Sequence, residues 1–299
     1  MKNSKLAFFG ALLLLAAFAF AQESKPGFNV THPKAKGATE TDTYGINNGG
    51  TIAGDYVTSA GVQHGMTLKG TTLVTFDHPG CVTAAPTATA GYGINTVGVV
   101  VGWCASSTTG NDIAFMWSPT TKKFVDLKVP GAVSTQATGI NDKGWIAGLY
   151  FDSAAKQHGF YYDGKAYHAL NVAGATVTGA WDVNNLGMVT VNATSTAGVQ
   201  DAYLYNPTTK KYTKIDVPGA TSSIAHAINN KGDIDYTIFD SAGNRHGVLF
   251  HAKVFYTFDD PLGKNNTRAD GLNDTLVLVG RSSTSTSGPS IGFQAVWHP

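Results

Sequence analysis

The chain has 299 residues, 14% of them charged and 11% aromatic, with a formal net charge of +1. That balance excludes the basic stripe of a nucleic-acid binder and the charge-rich, aromatic-poor make-up of a disordered chain. Its 35 glycines, set among many Thr, Ser, Asn and Ala, suit short strands joined by tight turns.

At the N-terminus, Met1-Lys2-Asn3-Ser4-Lys5 is basic, Leu6 to Phe20 is apolar apart from Gly10, and Ala19-Phe20-Ala21 has small residues at a cleavage site. These are the parts of a secretory signal peptide, with cleavage expected after Ala21. The apolar run of about 15 residues falls short of the roughly 20 that cross a bilayer, which argues against an anchor. The expected mature chain, 22–299, is secreted or periplasmic and carries no membrane span. Cys81 and Cys104 are its two cysteines. In an oxidising compartment an even count favours a disulfide over two buried thiols.

A short strand, Phe28-Asn29-Val30-Thr31, then stands alone before a phrase that recurs to the end of the chain. The copies are Gly45-Ile46-Asn47, Gly93-Ile94-Asn95, Gly139-Ile140-Asn141, Asp182-Val183-Asn184, Ala227-Ile228-Asn229 and Gly271-Leu272-Asn273. Their spacing, between 43 and 48 residues, marks a repeat architecture, with repeats starting near 41, 89, 135, 178, 223 and 267. In each unit a small-residue strand ends at the phrase, and a turn such as Asn141-Asp142-Lys143-Gly144 follows. A second apolar strand comes next (Trp145 to Phe151), then a third (His158 to Tyr162). The fourth alternates, as in Phe124 to Val129, and stops at Pro130-Gly131, where proline costs no ladder bond.

Four short strands in about 45 residues make one propeller blade; an open stack of repeats would need capping units. The ends of the chain decide between them. The sixth repeat stops after its third strand, Ile291 to Trp297, and the unassigned strand at Phe28 matches the fourth strand it lacks. The expected fold is all-β: a six-bladed β-propeller of four-stranded blades, closed by the N-terminal strand completing the last blade. Closure leaves no open seam edge.

The repeat resembles the HAF repeats of extracellular bacterial proteins, whose pattern is Gly-Ile-Asn, a turn, Gly-x-Val-x-Gly, then His-Ala-Phe. Here the third element reads His64-Gly65-Met66, Ile113-Ala114-Phe115, His158-Gly159-Phe160, Asp201-Ala202-Tyr203, His246-Gly247-Val248 and Ile291-Gly292-Phe293. The resemblance covers the mature chain and implies an exported propeller-like protein. It brings no activity and no catalytic residues with it. Trp181-Asp182 is a single Trp-Asp pair in the wrong strand for a WD repeat, and Gly49-Gly50 is a single kelch-like doublet.

His64, His158 and His246 fall in alternate blades, on third strands about 10 Å outward of the first. That separation, on the order of 20 Å between copies, is too wide for one metal ion, so each is expected to bond a neighbouring turn. Loops such as Asp152-Ser153-Ala154-Ala155 offer one carboxylate, too few for calcium. No Gly-x-Ser-x-Gly, His-Glu-x-x-His or phosphate-cradling Gly-Lys-Ser/Thr motif is present, and no cofactor or metal is implied.

Candidate site residues come from departures from the repeat. Three residues before the phrase's asparagine stand Tyr44, Tyr92, Thr138, Trp181, His226 and Asp270. The first strand is innermost, so these are expected to ring the axis. Blades four and five also depart at Asp182, Asp235 and Tyr236, where the sibling repeats carry Gly, or Ala and Val. Repeat drift explains such changes more readily than ligand binding, and ligand binding more readily than catalysis. An unpaired buried carboxylate is costly, so pairing of His226 with Asp235 or Asp182 is expected. The sequence thus points to a non-catalytic binding or scaffold propeller that recognises a glycan or a cell-envelope protein. Stacking would fall to Trp181, Tyr44 and Tyr92, and orientation to Asp182, His226 and Asp270. The alternatives are a polysaccharide hydrolase or lyase at blades four and five, and a purely structural surface protein.

Overall fold

A computed structural model describes residues 26–263, 265–285 and 288–299, and among them every regular element is a β-strand. The expected signal peptide lies outside the described residues. Among these residues no helix is long and apolar enough to cross a membrane.

The chain opens with β1 (Gly27–Thr31). Blade one is β2 (Ala38–Ile46), β3 (Ile52–Thr58), β4 (Gln63–Lys69) and β5 (Thr72–Phe76). Blade two is β6 (Ala90–Ile94), β7 (Val100–Ala105), β8 (Asp112–Trp117) and β9 (Phe124–Leu127). Blade three is β10 (Ser134–Ile140), β11 (Ile146–Phe151), β12 (Gln157–Tyr162) and β13 (Tyr167–Leu170). Blade four is β14 (Ala175–Val183), β15 (Val189–Ser195), β16 (Gln200–Asn206) and β17 (Lys211–Ile215). Blade five is β18 (Ser222–Ile228), β19 (Ile234–Phe239), β20 (Arg245–His251) and β21 (Val254–Phe258). Blade six is β22 (Thr267–Leu272), β23 (Val277–Ser283) and β24 (Ser290–His298), and β1 supplies its fourth strand. The pairing runs antiparallel from Gly27 opposite His298 to Thr31 opposite Gln294. The ring is a six-bladed β-propeller closed by its N-terminal strand.

The core is a series of seams between neighbouring blades. Ala53 and Phe76 of blade one meet Phe115 and Trp117 of blade two. Val101 and Ala114 meet Ala137 and Phe160, and Leu249 and Phe258 of blade five meet Leu278 and Phe293 of blade six. Glycine in the second strand makes room for the third-strand aromatic. A Cβ on Gly148 would fall 2.2 Å from the Gln136 carbonyl and 2.7 Å from the Phe160 ring. Blade five solves the same space another way: Tyr236 fills it from β19 and pairs with the smaller Val248 of β20.

The Cys81–Cys104 disulfide is formed. His64 bonds Asp77. His158 bridges Asn171 and Asp152, and His246 bridges Asp259 and Asp240. Each of the three thus ties its own strand to a nearby turn, as expected.

Candidate functional site

The first strand of every blade carries an irregularity at one place. Pairing skips Tyr44 between Thr43 and Gly45, Tyr92 between Gly91 and Gly93, and Thr138 between Ala137 and Gly139. It skips Trp181 and Asp270 in the same way. In blade five it skips both His226 and Ala227. A bulge leaves a residue unpaired and re-aims its side chain. The six residues picked out by sequence are these bulge residues, turned into one axial cavity.

That cavity measures about 90 Å3 and opens at the asparagine-turn end. Its rim is built by the repeated phrase. Five of the six phrase asparagines donate Nδ2 to the carbonyl of the next blade's asparagine, at 2.8–3.2 Å. A second circle lies just outside it. The backbone N–H of Thr96, Asp142, Asn185, Asn230 and Asp274 each donates to a side-chain Oδ1 of the adjacent blade, at 2.8–2.9 Å. The rim is therefore rich in amides and carboxylates.

The floor is crowded. Tyr44 and Tyr92 stack at 4.3 Å between ring centroids. Trp103 covers the other side of Tyr92 at 5.7 Å, and the Arg281 guanidinium lies 4.8 Å from the centre of the Tyr44 ring. Neither tyrosine offers a free face, so the stacking expected of Tyr44 and Tyr92 is not available. Trp181 is half-buried, with His226 against it edge-on at 4.8 Å and the Arg268 guanidinium 5.8 Å from its ring centre. Like the two tyrosines it lines the cavity, but no second aromatic ring among the described residues is stacked face to face on it. Burial pushes the Tyr92 hydroxyl up to about 12.

The carboxylates serve the bulges. Asp182 accepts from the Val183 N–H at 2.8 Å and from the Ile228 N–H of the next blade at 3.0 Å. Burial raises its pKa to about 6 against those two donors. Asp235 takes the Ala227 N–H that the blade-five irregularity frees. Its other oxygen is buried without a partner among the described residues. Desolvation raises its pKa well above the usual carboxylate range. Neither Asp235 nor Tyr236 lines the axial cavity. Tyr236 is fully buried in the seam between blades four and five.

The expected partnering of His226 changes accordingly. Its Nδ1 lies 3.6 Å from Asp270, and Asp182 and Asp235 are turned to backbone donors instead. Desolvation, then Arg268 and Arg281, holds His226 well below its usual pKa, so the ring is neutral. Asp270 is fixed in turn by Arg268 Nε at 2.7 Å. Sequence reasoning missed Arg245, Arg268 and Arg281. The available signal was compositional: these are the only arginines in the chain.

No family model matches this sequence, and no curated protein matches it. Solved structures do. The Aleuria aurantia lectin in complex with Fucα1-6GlcNAc aligns with a TM-score of 0.54 at 11% identity, covering 87% of this chain and 95% of that one. The SapL1 lectin, in complex with α-methyl fucoside, gives 0.56 at 10% identity over 88% and 96%. TolB from Acinetobacter baumannii gives 0.56 at 10% identity, covering 89% of this chain and 65% of that one. The Aleuria lectin is described as a six-bladed β-propeller. At such identities the likeness is one of fold, and the fold is the six-bladed β-propeller that the strand pairing gives.

Proposed function

We propose that this protein is an exported, non-catalytic carbohydrate-binding propeller whose site is the axial cavity at the asparagine-turn end. The observation that carries the reading is the meeting of a half-exposed Trp181 with a rim of amides and carboxylates. Sugars present apolar C–H faces and hydroxyl edges, and an aromatic face beside polar groups answers both. Support comes also from the two fucose-complexed lectins that share the fold. The leader expected at 1–21 supports a ligand outside the cytoplasm, on a cell-envelope or environmental glycan. The repeat phrase supports a kinship with the HAF-repeat proteins. The non-catalytic part rests on the carboxylates, since Asp182 and Asp235 hold backbone N–H groups. The test is a glycan array on the purified protein with Trp181→Ala beside it. Selective glycan signals lost in the variant are expected. Equal signals from both proteins, or none from either, would remove the reading and leave a structural surface protein.

A further inference from the structure

Every cation of the chain other than residues 245, 268 and 281 is a lysine. The three arginines are spread over β20, β22 and β23, yet they meet in one pocket. It lies on the face opposite the asparagine turns, where first strands begin and second strands end. It holds about 220 Å3, with Asp42, Asn266 and Ser290 also in its wall. Lysine suffices for solubility. Arginine offers a planar fork of donors that matches an oxyanion.

Two of the three are partly neutralised. Arg268 Nε donates to Asp270, and Arg281 donates to the Tyr44 hydroxyl at 2.6 Å with Asp42 at 3.4 Å. Arg245 has no carboxylate partner among the described residues. It is exposed, lies over the Phe239 ring at 5.3 Å, and reaches Asn266 Oδ1 at 3.4 Å. Partial desolvation, then the two neighbouring guanidiniums, holds its pKa below the usual value. An arginine nevertheless stays charged. Three fixed cations therefore face Asp42, Asp55 and Asp270, and burial raises Asp55 well above the usual carboxylate range and raises Asp270 as well. With Asp55 held neutral the surplus is positive, and Arg245 is exposed to solvent-borne groups.

We propose that this pocket binds an anionic group, a carboxylate or sulfate carried on a saccharide, with Arg245 as its principal contact. The anion follows from the arginines alone; that a saccharide carries it rests on the carbohydrate reading above. The site is separate from the axial cavity and faces the other way.

The test is calorimetry of the purified protein with digalacturonate, galactose 6-sulfate, neutral galactobiose and inorganic sulfate. The acidic sugars are expected to bind, more weakly as salt rises, and galactobiose is not. Which acidic sugar binds tighter distinguishes carboxylate from sulfate. Arg245→Gln should weaken binding by at least about tenfold, the loss of a charge-assisted pair. Lys156→Gln, an exposed change of the same charge in β11–β12 connection, should not. Arg245 is at the surface, so an unchanged melting midpoint will show that the variant folds. Equal affinity for galactobiose, or an Arg245→Gln variant that binds as wild type, overturns the site. Inorganic sulfate binding as tightly as the sugars overturns the saccharide. Neutral-glycan signals on the array that survive Arg245→Gln, while the acidic sugars lose affinity, support two separate sites; their loss in that variant overturns the separation.

Discussion

Asp235 shows how a residue can be odd within its repeat and still serve the fold. Its siblings are Ala, Val or Thr, and its carboxyl replaces the ladder partner that Ala227 lacks. Only one oxygen is used, and the other is buried without a partner among the described residues. The neutral acid is therefore the form the folded protein tolerates. A raised folded pKa makes the contribution to stability fullest below the unfolded carboxylate pKa. It is then lost as pH rises toward the folded value. Asp235→Asn keeps the accepting oxygen and cannot ionise. Urea denaturation across pH 5 to 8 should show the variant gaining on wild type, by up to about 1.4 kcal/mol per pH unit. A gap between the two proteins that stays constant with pH would mean that the carboxyl is not held neutral.

Among the elements, the asparagine turn explains why one phrase is written six times. In blade four, Asn184 Oδ1 accepts from the Leu186 and Met188 N–H groups and so closes its own turn. Its Nδ2 donates to the Asn229 carbonyl and so reaches the next blade. Asp could do the first task but not the second, since it has no donor. Asn184→Asp should therefore cost about 1–3 kcal/mol, a buried bond lost with an oxygen left facing a carbonyl. Chemical denaturation measures it, and an unchanged midpoint would show that the inter-blade bond contributes nothing. The fourth turn position needs left-handed backbone. Glycine fills it at Gly50, Gly98, Gly144, Gly187 and Gly232, but blade six uses Leu276 at φ 59°. There a left-handed penalty of about 1–2 kcal/mol is offset by burying the leucine, worth about 1.5–3 kcal/mol, in the blade-five to blade-six seam. The turns, the strands and the inward aim of Tyr44 to Asp270 were legible in the sequence because they repeat. The covered faces of Tyr44 and Tyr92 were not. They depend on Trp103 and Arg281, which share one second-strand position where the other blades carry Asp55, Leu149, Asn192 and Thr237, so no repeated residue type marks it. His226 was likewise matched to carboxylates of its own and the preceding blade, whereas the following blade supplies Asp270.

For the whole ring, everything turns on the seam where the two chain ends meet. Outer strands elsewhere are short: β9 and β13 have four residues each and β5, β17 and β21 have five. Short edges resist pairing with other molecules. β24 has nine residues and no Lys, Arg, Asp or Glu, so bared it would be a long apolar edge. β1 covers it, and Phe28 packs 4.4 Å from Phe258 while Val30 joins the same cluster. A chain beginning at residue 32 should lose about 3–5 kcal/mol, the burial of a phenylalanine and a valine together with the cavity left behind. It should also self-associate through β24, which light scattering after size exclusion would detect. A synthetic peptide of residues 26–33 should restore both stability and the monomer, because the missing strand makes antiparallel ladder bonds that need no covalent link to the blade. Since β2 follows β1 after six residues, the same truncation also frees the start of blade one, where Thr43 Oγ1 bonds the Gly280 and Phe293 carbonyls across the seam. A truncated chain that stays monomeric with an unchanged unfolding midpoint would mean that blades one and six hold the ring shut through those polar contacts alone.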